Sequence, residues 1–291
     1  MAQKLAFLHA LSRLHSGTGQ GVGSIDLPIA RERATNLPFV PGSSIKGCLR
    51  DGLKLDEKTT IAIFGPKRGT DASLHSGVLR CSDARLLLLP VRSLAATFVW
   101  ATSPFILHRF RRDAEAAGLA GLPAVPRLND GQARLAAKDA LVKIGTEEKL
   151  VLEELDFKAT VADEALKWST WIGERLFSTA DVAWREELTK RFAVIDDKSF
   201  DHLAEFATEI NAHIAIDSVK GTVEPGALWY EESLPAETVL SMILEAENAR
   251  DGSLAASQIL DKIPPTSSIQ FGGKATTGEG VVRLVPVGGA L

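Results

Sequence analysis

Apolar positions along the chain recur with two spacings, and each spacing predicts a set of secondary-structure elements. Stretches rich in apolar and β-branched residues are typical of strands. They predict strands at Lys4–Ser12, Val78–Leu89, Thr97–Ala101, Val151–Thr160, Thr238–Glu245 and Val281–Val287. Apolar residues at helical spacing, with capping residues at the ends, predict helices at Ser43–Leu53, Ser103–Gly118, Asp163–Phe177, Asp181–Arg191 and Ser253–Lys262.

Other segments have a less regular pattern. Thr60–Phe64 is a short apolar piece, and Gly118–Gly145 is expected to be partly helical. Ala212–Ile216 and Ala227–Glu232 flank the turn-rich loop Asp217–Gly226 and together predict a long β-hairpin. Because strands and helices alternate irregularly, an α+β fold is favoured over a doubly wound sheet.

Composition is that of an ordinary globular protein, with 45% hydrophobic and 24% charged residues. No repeat or linker divides the chain, so we expect one domain over residues 1–291. The N-terminus lacks the apolar core of a signal peptide, and the run Leu86–Leu89 is far shorter than the ~20 residues that span a bilayer. We therefore expect a soluble, cytoplasmic protein with no membrane partner. The two cysteines, Cys48 and Cys81, fit a reducing compartment and are predicted to be small core residues.

The net charge of the chain does not favour a polyanionic partner, but the distribution of charge along the sequence does. The net charge is −4, but residues 1–50 carry six basic against two acidic side chains, and residues 80–112 carry six arginines against Asp83 alone. Residues 146–166 have the opposite balance, with seven acids against two lysines. If the two basic segments meet, one face of the molecule is strongly positive. The alternative is that these arginines are scattered, solvated charges.

Two glycine-rich loops have the chemistry of phosphate contacts. His15–Ser24 contains four glycines, and residues 272–280 read GGKATTGEG. Glycine lets backbone N–H groups approach phosphate oxygens closely. Pro41–Lys46 adds a predicted helix N-terminus, where an anion is favoured, with Ser43 or Ser44 as the expected cap. The alternative for both loops is a pair of tight turns.

Two side chains near the first loop are candidates for chemistry. Asp26 lies just past the loop and is followed by Arg31 and Arg33, so composition favours an ion-pair partner. Its functional alternatives are a general base or a ligand for hydrated Mg²⁺. His15 enters the loop, where it is either a hydrogen-bonded loop residue or a group that contacts substrate or transfers a proton.

Several common site classes lack their motifs. GSSIKG at 42–47 does not end in the GK[ST] pair of a P-loop, and no Rossmann glycine pattern follows the first predicted strand. There is no GxSxG, no HExxH and no Cys/His spacing for zinc. Nucleotide hydrolysis, dinucleotide binding and zinc chemistry are therefore disfavoured.

The string HSGTGQGVGSIDLPIARERATNLPFVPGSSIKGCLRDGL, residues 15–53, resembles the N-terminal signature of the RAMP superfamily. It is most similar to the repeated backbone subunit of type III-B CRISPR (Cmr) effector complexes. Further matching segments are IFGP (63–66), SDARLLLLPVRSL (82–94), TSPFILHRFRRD (102–113), GALWYEESLP (226–235) and IQFGGKATTGEG (269–280). The resemblance spans nearly the whole chain, and its most specific elements are IDLPIAR and GSSIKG.

This resemblance implies an RRM-like, ferredoxin-type core with large insertions. Copies of the chain would stack into a filament on a CRISPR guide RNA, beside other Cmr subunits, and single-stranded target RNA would pair with the guide. A projecting thumb hairpin, which maps best onto Ile210–Glu232, would interrupt the duplex at six-nucleotide intervals, where the target is cut. A scaffold without catalysis and a free-standing ribonuclease that processes CRISPR precursors are the alternatives.

The resemblance also implies roles for individual residues. Asp26 would be the cutting residue, either as the general base or as a ligand of Mg²⁺ or Mn²⁺, with helpers at His15, Tyr230, Glu231 and Glu232. RNA would be bound by residues of both glycine-rich loops, the first helix and the basic segments, namely Gly17, Gly19, Arg31, Gly42, Ser43, Ser44, Lys46, Arg50, Arg109, Arg111, Arg112, Gly272, Gly273 and Lys274. Cleavage would proceed by in-line attack of a 2′-OH on its own phosphate, and the protein's main contribution would be to impose that geometry.

Overall fold

The structure is a computed structural model that describes residues 1–19, 21, 24–66, 76–216, 222–264 and 267–287, with only the backbone at 223–226 and 267. Its strands are β1 (Ala2–Ala10), β2 (Phe39–Val40), β3 (Leu79–Cys81), β4 (Ala84–Ser93), β5 (Thr97–Thr102), β6 (Gln132–Leu135), β7 (Leu141–Ile144), β8 (Glu147–Leu152), β9 (Leu155–Val161), β10 (Phe192–Ile195), β11 (Glu209–Ile216), β12 (Val223–Ser233), β13 (Val239–Ala246), β14 (Ser267–Gln270) and β15 (Val281–Val287). Its α-helices are α1 (Gly42–Gly52), α2 (Glu57–Phe64), α3 (Pro104–Ala116), α4 (Asp163–Leu176), α5 (Val182–Lys190), α6 (Asp197–Phe206) and α7 (Ala256–Asp261).

One large sheet contains all the described strands except β11 and β12. Its order is β14-β15-β1-β13-β4-β5-β10-β6-β9-β8-β7, with β2 paired to β4 and β3 to β13. β1 lies between β13 and β15 and is antiparallel to both, so that Leu8 lies opposite Leu240 on one side and Leu284 on the other. The chain is therefore a mixed α+β protein, as the irregular alternation of elements predicts.

Both faces of this sheet are covered, and β1 contributes to both. Leu5 and Phe7 face a core formed with α3, α4 and α6, while Ala6 and Leu8 face a second core formed with α1, α2 and α7. Because successive side chains of a strand point to opposite faces, a strand covered on both sides is apolar throughout. This explains the continuous burial of residues 5–10.

Helix boundaries follow the capping signals where those signals are strong. Ser103 accepts a hydrogen bond from the backbone N–H of Ile106, Pro104 occupies the first turn of α3, and Gly118 has a φ of 83° just after the helix. This combination is typical of a helix that begins at a polar cap and ends at a left-handed glycine. The predicted helices that correspond to α1, α3, α4 and α5 are confirmed to within two residues.

The prediction of partial helix in Gly118–Gly145 is wrong. The described chain there is irregular until β6 and β7, because Gly121, Pro123 and Pro126 interrupt any helical run. A carbonyl group of this segment accepts a hydrogen bond from another element, because the indole N–H of Trp168 donates to Ala124 O over 2.9 Å. The segment therefore packs as an ordered connection beneath α4.

Two predicted strands are each divided in the structure. Val151–Thr160 is part of the hairpin β8–β9, which turns at Glu153 with a φ of 47°. Val78–Leu89 is split into β3 and β4 at Ser82 and Asp83. The pattern missed both interruptions because apolar residues continue on either side of each turn.

Other differences concern short elements. The sequence prediction missed β2, β10 and α6 and extended α7 by several residues. The short apolar piece Thr60–Phe64, to which no element was assigned, is the second half of α2. The two cysteines are free, but only partly buried at the edge of the second core, and burial raises the pKa of Cys81 to about 12. The described helices include none that is long and apolar enough to cross a membrane.

β11 and β12 form a two-stranded antiparallel sheet separate from the large sheet, where the sequence predicts a hairpin. Both strands are longer than predicted, and residues 217–221 of the predicted loop lie outside the described residues. A register shift between Ile214 and Ile216 marks a bulge in β11.

Phe110→Ala is expected to destabilise the protein by about 3–5 kcal/mol, because it leaves a cavity in a packed aromatic cluster. Phe110 is 2% exposed and its ring lies 5.8 Å from that of Phe7 and 5.6 Å from that of Trp171. Phe105 is on the same helix but 42% exposed, so Phe105→Ala serves as the control and should cost less than about 1 kcal/mol. Urea unfolding of both variants measures the difference, and equal losses would contradict this description of the core.

Candidate functional site

Asp26 is held against the outer edge of β12. The backbone N–H of Leu27 donates to Tyr230 O over 3.1 Å, and the N–H of Glu232 donates to Leu27 O over 3.0 Å. These bonds form a short parallel bridge between Leu27 and Glu231. The Asp26 carboxylate then accepts the N–H of Tyr230 at Oδ2 over 2.8 Å. The carboxylate is therefore fixed at one oxygen, and the side chain remains exposed.

The interpretation of Asp26 as an ion-pair partner is wrong. Among the described residues no basic side chain pairs with its carboxylate, whose one hydrogen bond comes from Tyr230. Arg31 instead pairs with Glu232 over 2.5 Å, while Arg33 is exposed. An exposed carboxylate with one unoccupied oxygen can accept a proton or bind a cation.

Glu232 lies buried behind this edge, with both oxygens in use. It accepts from the backbone N–H of Ile29 at 3.1 Å, from Arg31 at 2.5 Å and from the Thr208 hydroxyl at 2.9 Å. The side chain is 3% exposed. Its contacts favour a structural role that joins residues 29–31 to the base of the hairpin, in place of the predicted role as a catalytic helper. Arg31, predicted to bind RNA, is occupied in the same contact.

His15, Glu231 and Lys274 bring the two glycine-rich loops together. Glu231 is 1% exposed and forms an ion pair with Lys274 through Oε2. His15 Nδ1 lies 2.7 Å from Glu232 O and 3.8 Å from Glu231 Oε1. A Cβ on Gly17 would lie 2.4 Å from His15 Nε2, so the absence of a side chain there lets the imidazole lie against the loop. His15 is thus both a hydrogen-bonded loop residue and a neighbour of a buried carboxylate.

The remaining loop candidates are exposed. Gly19, Gly272 and Gly273 are open to solvent, and Tyr230 is 41% exposed. Gly19 and Gly272 have positive φ values of 95° and 78°, which are the backbone conformations that glycine permits. Gln20, Val22 and Gly23 of the first loop lie outside the described residues. Phosphate binding by these loops remains a prediction.

The first turn of α1 differs from the predicted cap. The N-cap is Pro41, without a side-chain cap, and Asp83 accepts the N–H of Gly42 over 2.8 Å. A carboxylate thus already occupies the first amide of the helix, an arrangement that the helix dipole stabilises. Ser43 and Ser44 lie within the first turn and are exposed, so neither is the cap. Their hydroxyls remain free for a ligand.

Lys46 is partly buried on the same helix. Its Nζ donates to Leu79 O over 2.7 Å, which attaches α1 to β3. Burial is the largest effect on the Lys46 pKa and lowers it. Arg50 lies one turn further on and forms no ion pair with a described residue.

The arginines of residues 80–112 are engaged with acids. Arg109 donates twice to Glu32, at 2.8 and 2.5 Å, and Arg85 lies 3.5 Å from the same carboxylate. Partners of the others are Glu247 for Arg80, Glu153 for Arg92, Glu115 for Arg111 and Asp113 for Arg112. The positive balance of this segment is therefore offset by carboxylates from other parts of the chain. RNA binding by Arg109, Arg111 and Arg112 remains a prediction.

A divalent cation fits this site only if RNA supplies ligands. Within the described ranges no group of three or more His, Cys, Asp or Glu side chains is arranged to hold a metal. Asp26 offers one open oxygen, and the neighbouring Glu231 is held by Lys274. Mg²⁺ commonly binds one or two carboxylates together with substrate phosphates and water. Asp26 suits that mode of binding.

A family model described as RAMPs, the RAMP superfamily, matches residues 7–283. The chain belongs to the RAMP superfamily. It is 36% identical to the "CRISPR system Cmr endoribonuclease Cmr4" of Pyrococcus furiosus, over 98% of this chain and 95% of that protein. It is 24% identical to the "CRISPR system CMR subunit Cmr4" of Saccharolobus solfataricus, over 96% of this chain and 94% of that protein.

Solved structures of RAMP proteins share the fold. Oligomeric Cmr4 from P. furiosus superposes with a TM-score of 0.75 at 28% identity, covering 99% of this chain and 98% of that one. A chain of the type III-B Cmr-beta complex bound to cognate target RNA gives 0.73 at 19% identity, covering 98% of this chain and 97% of that one, and it is similar in fold. The resemblance to the type III-B backbone subunit is confirmed.

The sequence does not predict several of the contacts that hold the site residues in place. Asp83, Thr208 and the Leu79 carbonyl each hold a candidate residue, but each is distant from it in sequence. No local pattern marks Thr208 or a backbone carbonyl.

Glu32→Gln is expected to lower the stability at neutral pH by about 1 kcal/mol. Burial favours a higher pKa for Glu32, but the hydrogen bonds from Arg109 and Thr35 outweigh it, so the pKa lies below its usual value of 4.5. A carboxyl with a lowered pKa stabilises the fold above its unfolded-state pKa, and this contribution is lost as the pH falls through the folded-state value. The difference between wild type and variant should therefore shrink below pH 4.5.

Urea titrations from pH 7 to pH 3 measure this difference. Glu115→Gln is the matched control, because Glu115 is 52% exposed and pairs with Arg111 on one helix surface. It should change stability little at any pH. A Glu32→Gln difference that stays constant with pH would show that the Glu32 charge is not stabilising.

Proposed function

We propose that this chain is the repeated backbone subunit of a cytoplasmic type III-B CRISPR ribonucleoprotein, and that it cleaves target RNA with Asp26. In that assembly, copies of the chain and other Cmr subunits would line a guide RNA, and paired target RNA would be cut at six-nucleotide intervals. The observation that carries the proposal is the exposed Asp26 carboxylate, fixed by backbone bonds to the hairpin and free of any ion pair with the described residues. The names of the relatives, an endoribonuclease and an oligomer, agree with it.

The sheet supports an RRM-like core. The path β1-α1-β4-β13-α7-β15 crosses the sheet so that the strands lie in the order β15-β1-β13-β4, all in antiparallel contact. This order and the two helices on one face are those of a ferredoxin-type βαββαβ unit, which supports the proposed core. The remaining strands and helices would then be insertions into that core.

The hairpin has the properties of the proposed thumb. Ile210, Ile214 and Leu228 are between 50% and 55% exposed and lie on one face of β11 and β12, and Ile216, beyond the bulge, is 59% exposed. Apolar side chains on a projecting ribbon can wedge between bases and unstack them. Because Asp26 is hydrogen-bonded to the same hairpin, a wedge at one base step would bring the carboxylate to a fixed distance along the RNA.

The proposed reaction is transesterification within the target strand. The 2′-oxygen forms a bond to the adjacent phosphorus while the bond to the 5′-oxygen breaks, giving a 2′,3′-cyclic phosphate and a 5′-hydroxyl end. Asp26 would take the 2′-OH proton, and solvent would protonate the leaving oxygen. Lys274 and His15 lie near the neighbouring buried carboxylate and would offset charge on the phosphate.

A divalent cation, Mg²⁺ or Mn²⁺, would be held by Asp26 together with RNA oxygens. When bound, it would stabilise the negative charge that develops on the phosphoryl oxygens. Asp26 would then act as a ligand of the cation and not as the general base. Cleavage in EDTA, with and without added Mg²⁺, distinguishes the two roles.

Asp26→Asn is expected to abolish cleavage in a complex reconstituted with guide RNA and partner subunits, while target RNA binding remains within about twofold of wild type. The amide keeps the shape of the side chain but neither accepts a proton efficiently nor ligates a cation well. Denaturing gels of end-labelled target measure cleavage, and filter binding measures affinity. Asp139→Asn, at an exposed aspartate elsewhere, is the control. Normal cutting by Asp26→Asn would favour a non-catalytic scaffold.

Lys46→Ala is expected to weaken RNA binding and to reduce the slope of log K against log salt by about one, because one phosphate contact is lost. Lys46 is partly buried on α1 and directs its ammonium group toward the Leu79 carbonyl. Lys143→Ala, at an exposed lysine on the edge strand β7, is the control and should leave the slope unchanged. An unchanged slope for Lys46→Ala would contradict the phosphate contact.

A further inference from the structure

Glu231 is a buried carboxylate that lies beside two basic side chains. It is 1% exposed and forms an ion pair with Lys274 through Oε2. Its other oxygen, Oε1, lies 3.8 Å from Nδ1 of His15. A buried carboxylate is stable in its charged form only when a cation compensates it. Lys274 supplies that cation in the structure, and His15 can supply it only when the imidazole is protonated.

The hydrogen bond of His15 fixes the nitrogen at which a second proton would bind. Nδ1 lies 2.7 Å from the carbonyl oxygen of Glu232, which can only accept, so Nδ1 carries the hydrogen of the neutral ring. Protonation therefore takes place at Nε2, on the side of Gly17. The imidazole is 20% exposed, so it can exchange protons with water. A protonated ring in this position places a positive charge beside Glu231 Oε1.

Glu231 is the one carboxylate among the described residues that lies within ion-pair distance of the His15 ring. The Glu232 carboxylate, next to it on β12, is instead bound by Arg31 and Thr208. The loop 272–280 contributes Lys274, whose ammonium group contacts Glu231. The environment of the imidazole therefore depends on whether Lys274 compensates Glu231. Histidine suits such a dependence because its charge changes between pH 5 and pH 8.

Lys274 is the partner of Glu231 that a ligand can reach. Its side chain is 34% exposed, and beside it a Cβ added at Gly273 would meet no atom within 4 Å. The far end of the same loop is fixed, because the buried Glu279 pairs with Arg13 over 2.9 Å. The Lys274 ammonium group can therefore turn from Glu231 to an external anion while the rest of the loop stays in place.

We propose that a phosphate of bound RNA takes Lys274 from Glu231, and that His15 takes up one proton from solvent and replaces it. The proposal rests on the proposed function, since it requires RNA on this loop. A phosphate offers the ammonium group charge-assisted hydrogen bonds. Departure of Lys274 alone would leave Glu231 buried without a cation, which is strongly unfavourable. Protonated His15 removes that cost, so RNA binding is linked to proton uptake and the affinity rises as the pH falls.

Isothermal calorimetry at pH 7, in two buffers of different ionisation enthalpy, measures the protons taken up on RNA binding. One arm follows guide RNA binding to the full chain. The other follows target RNA binding to the guide-loaded complex, with Asp26→Asn to prevent cleavage. We expect uptake approaching about one proton per copy of the chain in the arm whose strand contacts Lys274. Binding without proton uptake in both arms would overturn the exchange alone, whereas failure of both RNAs to bind would overturn the proposed function with it.

Two variants separate the exchange from a direct contact between protonated His15 and RNA. His15→Gln keeps a donor for the Glu232 carbonyl but cannot be protonated, so the proton uptake should disappear. Lys274→Gln removes the cation that is exchanged, so the uptake should disappear there too, with weaker RNA binding. Uptake that persists in Lys274→Gln would show a direct contact and would overturn the exchange. His202→Gln is the control and should keep the wild-type uptake, because His202 lies on α6 and pairs with the exposed Glu154.

The pH dependence of RNA affinity provides the second readout. Between pH 8 and pH 6 the Kd of the wild type should fall by up to about tenfold per pH unit, the limit for uptake of one proton. His15→Gln and Lys274→Gln should show a smaller fall, and His202→Gln should follow the wild type. Circular dichroism confirms that each variant is folded. An equal fall in the wild type and in His15→Gln would contradict the role of His15.

Discussion

The backbone hydrogen bonds between residues 26–27 and β12 decide where the candidate carboxylate lies. They turn the end of the first glycine-rich loop into a third, very short strand of the hairpin. Asp26 is consequently attached to the hairpin and not to the large sheet. Any movement of the hairpin therefore moves the carboxylate with it. A loop anchored to the large sheet alone would place its carboxylate independently of the hairpin.

The attachment of residues 26–27 to β12 depends on Glu232, which follows the bridged residue Glu231. A buried carboxylate is costly unless it is paired and hydrogen-bonded. Here Ile29, Arg31 and Thr208 satisfy it together, and they come from two separate parts of the chain, residues 29–31 and the residue before β11. Because removal of any one partner would leave a buried charge incompletely paired, the site is specified by the whole set. The adjacent Glu231 is equally buried and faces different partners, an ion pair with Lys274 and the imidazole of His15 at 3.8 Å.

The sequence predicted well what depends on local pattern. α3 is one example. Ser103 and Pro104 mark its beginning and Gly118 marks its end, because each of these residue types has a strong conformational preference. The fold class and the position of the hairpin also followed from pattern, whereas the role of Asp26 came from the resemblance to RAMP proteins and stays a prediction. Contacts between distant segments were not accessible in this way. Asp26 was expected to pair with a nearby arginine. In the fold, Arg31 instead pairs with Glu232, 201 positions away in sequence, because tertiary packing brings these two residues together.

Pairing with distant carboxylates also changes how the number of arginines in a segment is interpreted. Six arginines between residues 80 and 112 indicate a positive surface, yet each has a carboxylate partner in the folded chain. A phosphate that approached Arg109 would have to displace Glu32 from two short hydrogen bonds, which costs much of what the new contact contributes. Cations without a carboxylate partner among the described residues, such as Lys46 and Arg50 on α1, are better placed to bind RNA. Each copy then supplies few phosphate contacts, so a filament would gain affinity by repeating them along one guide, as multivalent binding does. A net negative chain is compatible with RNA binding for that reason.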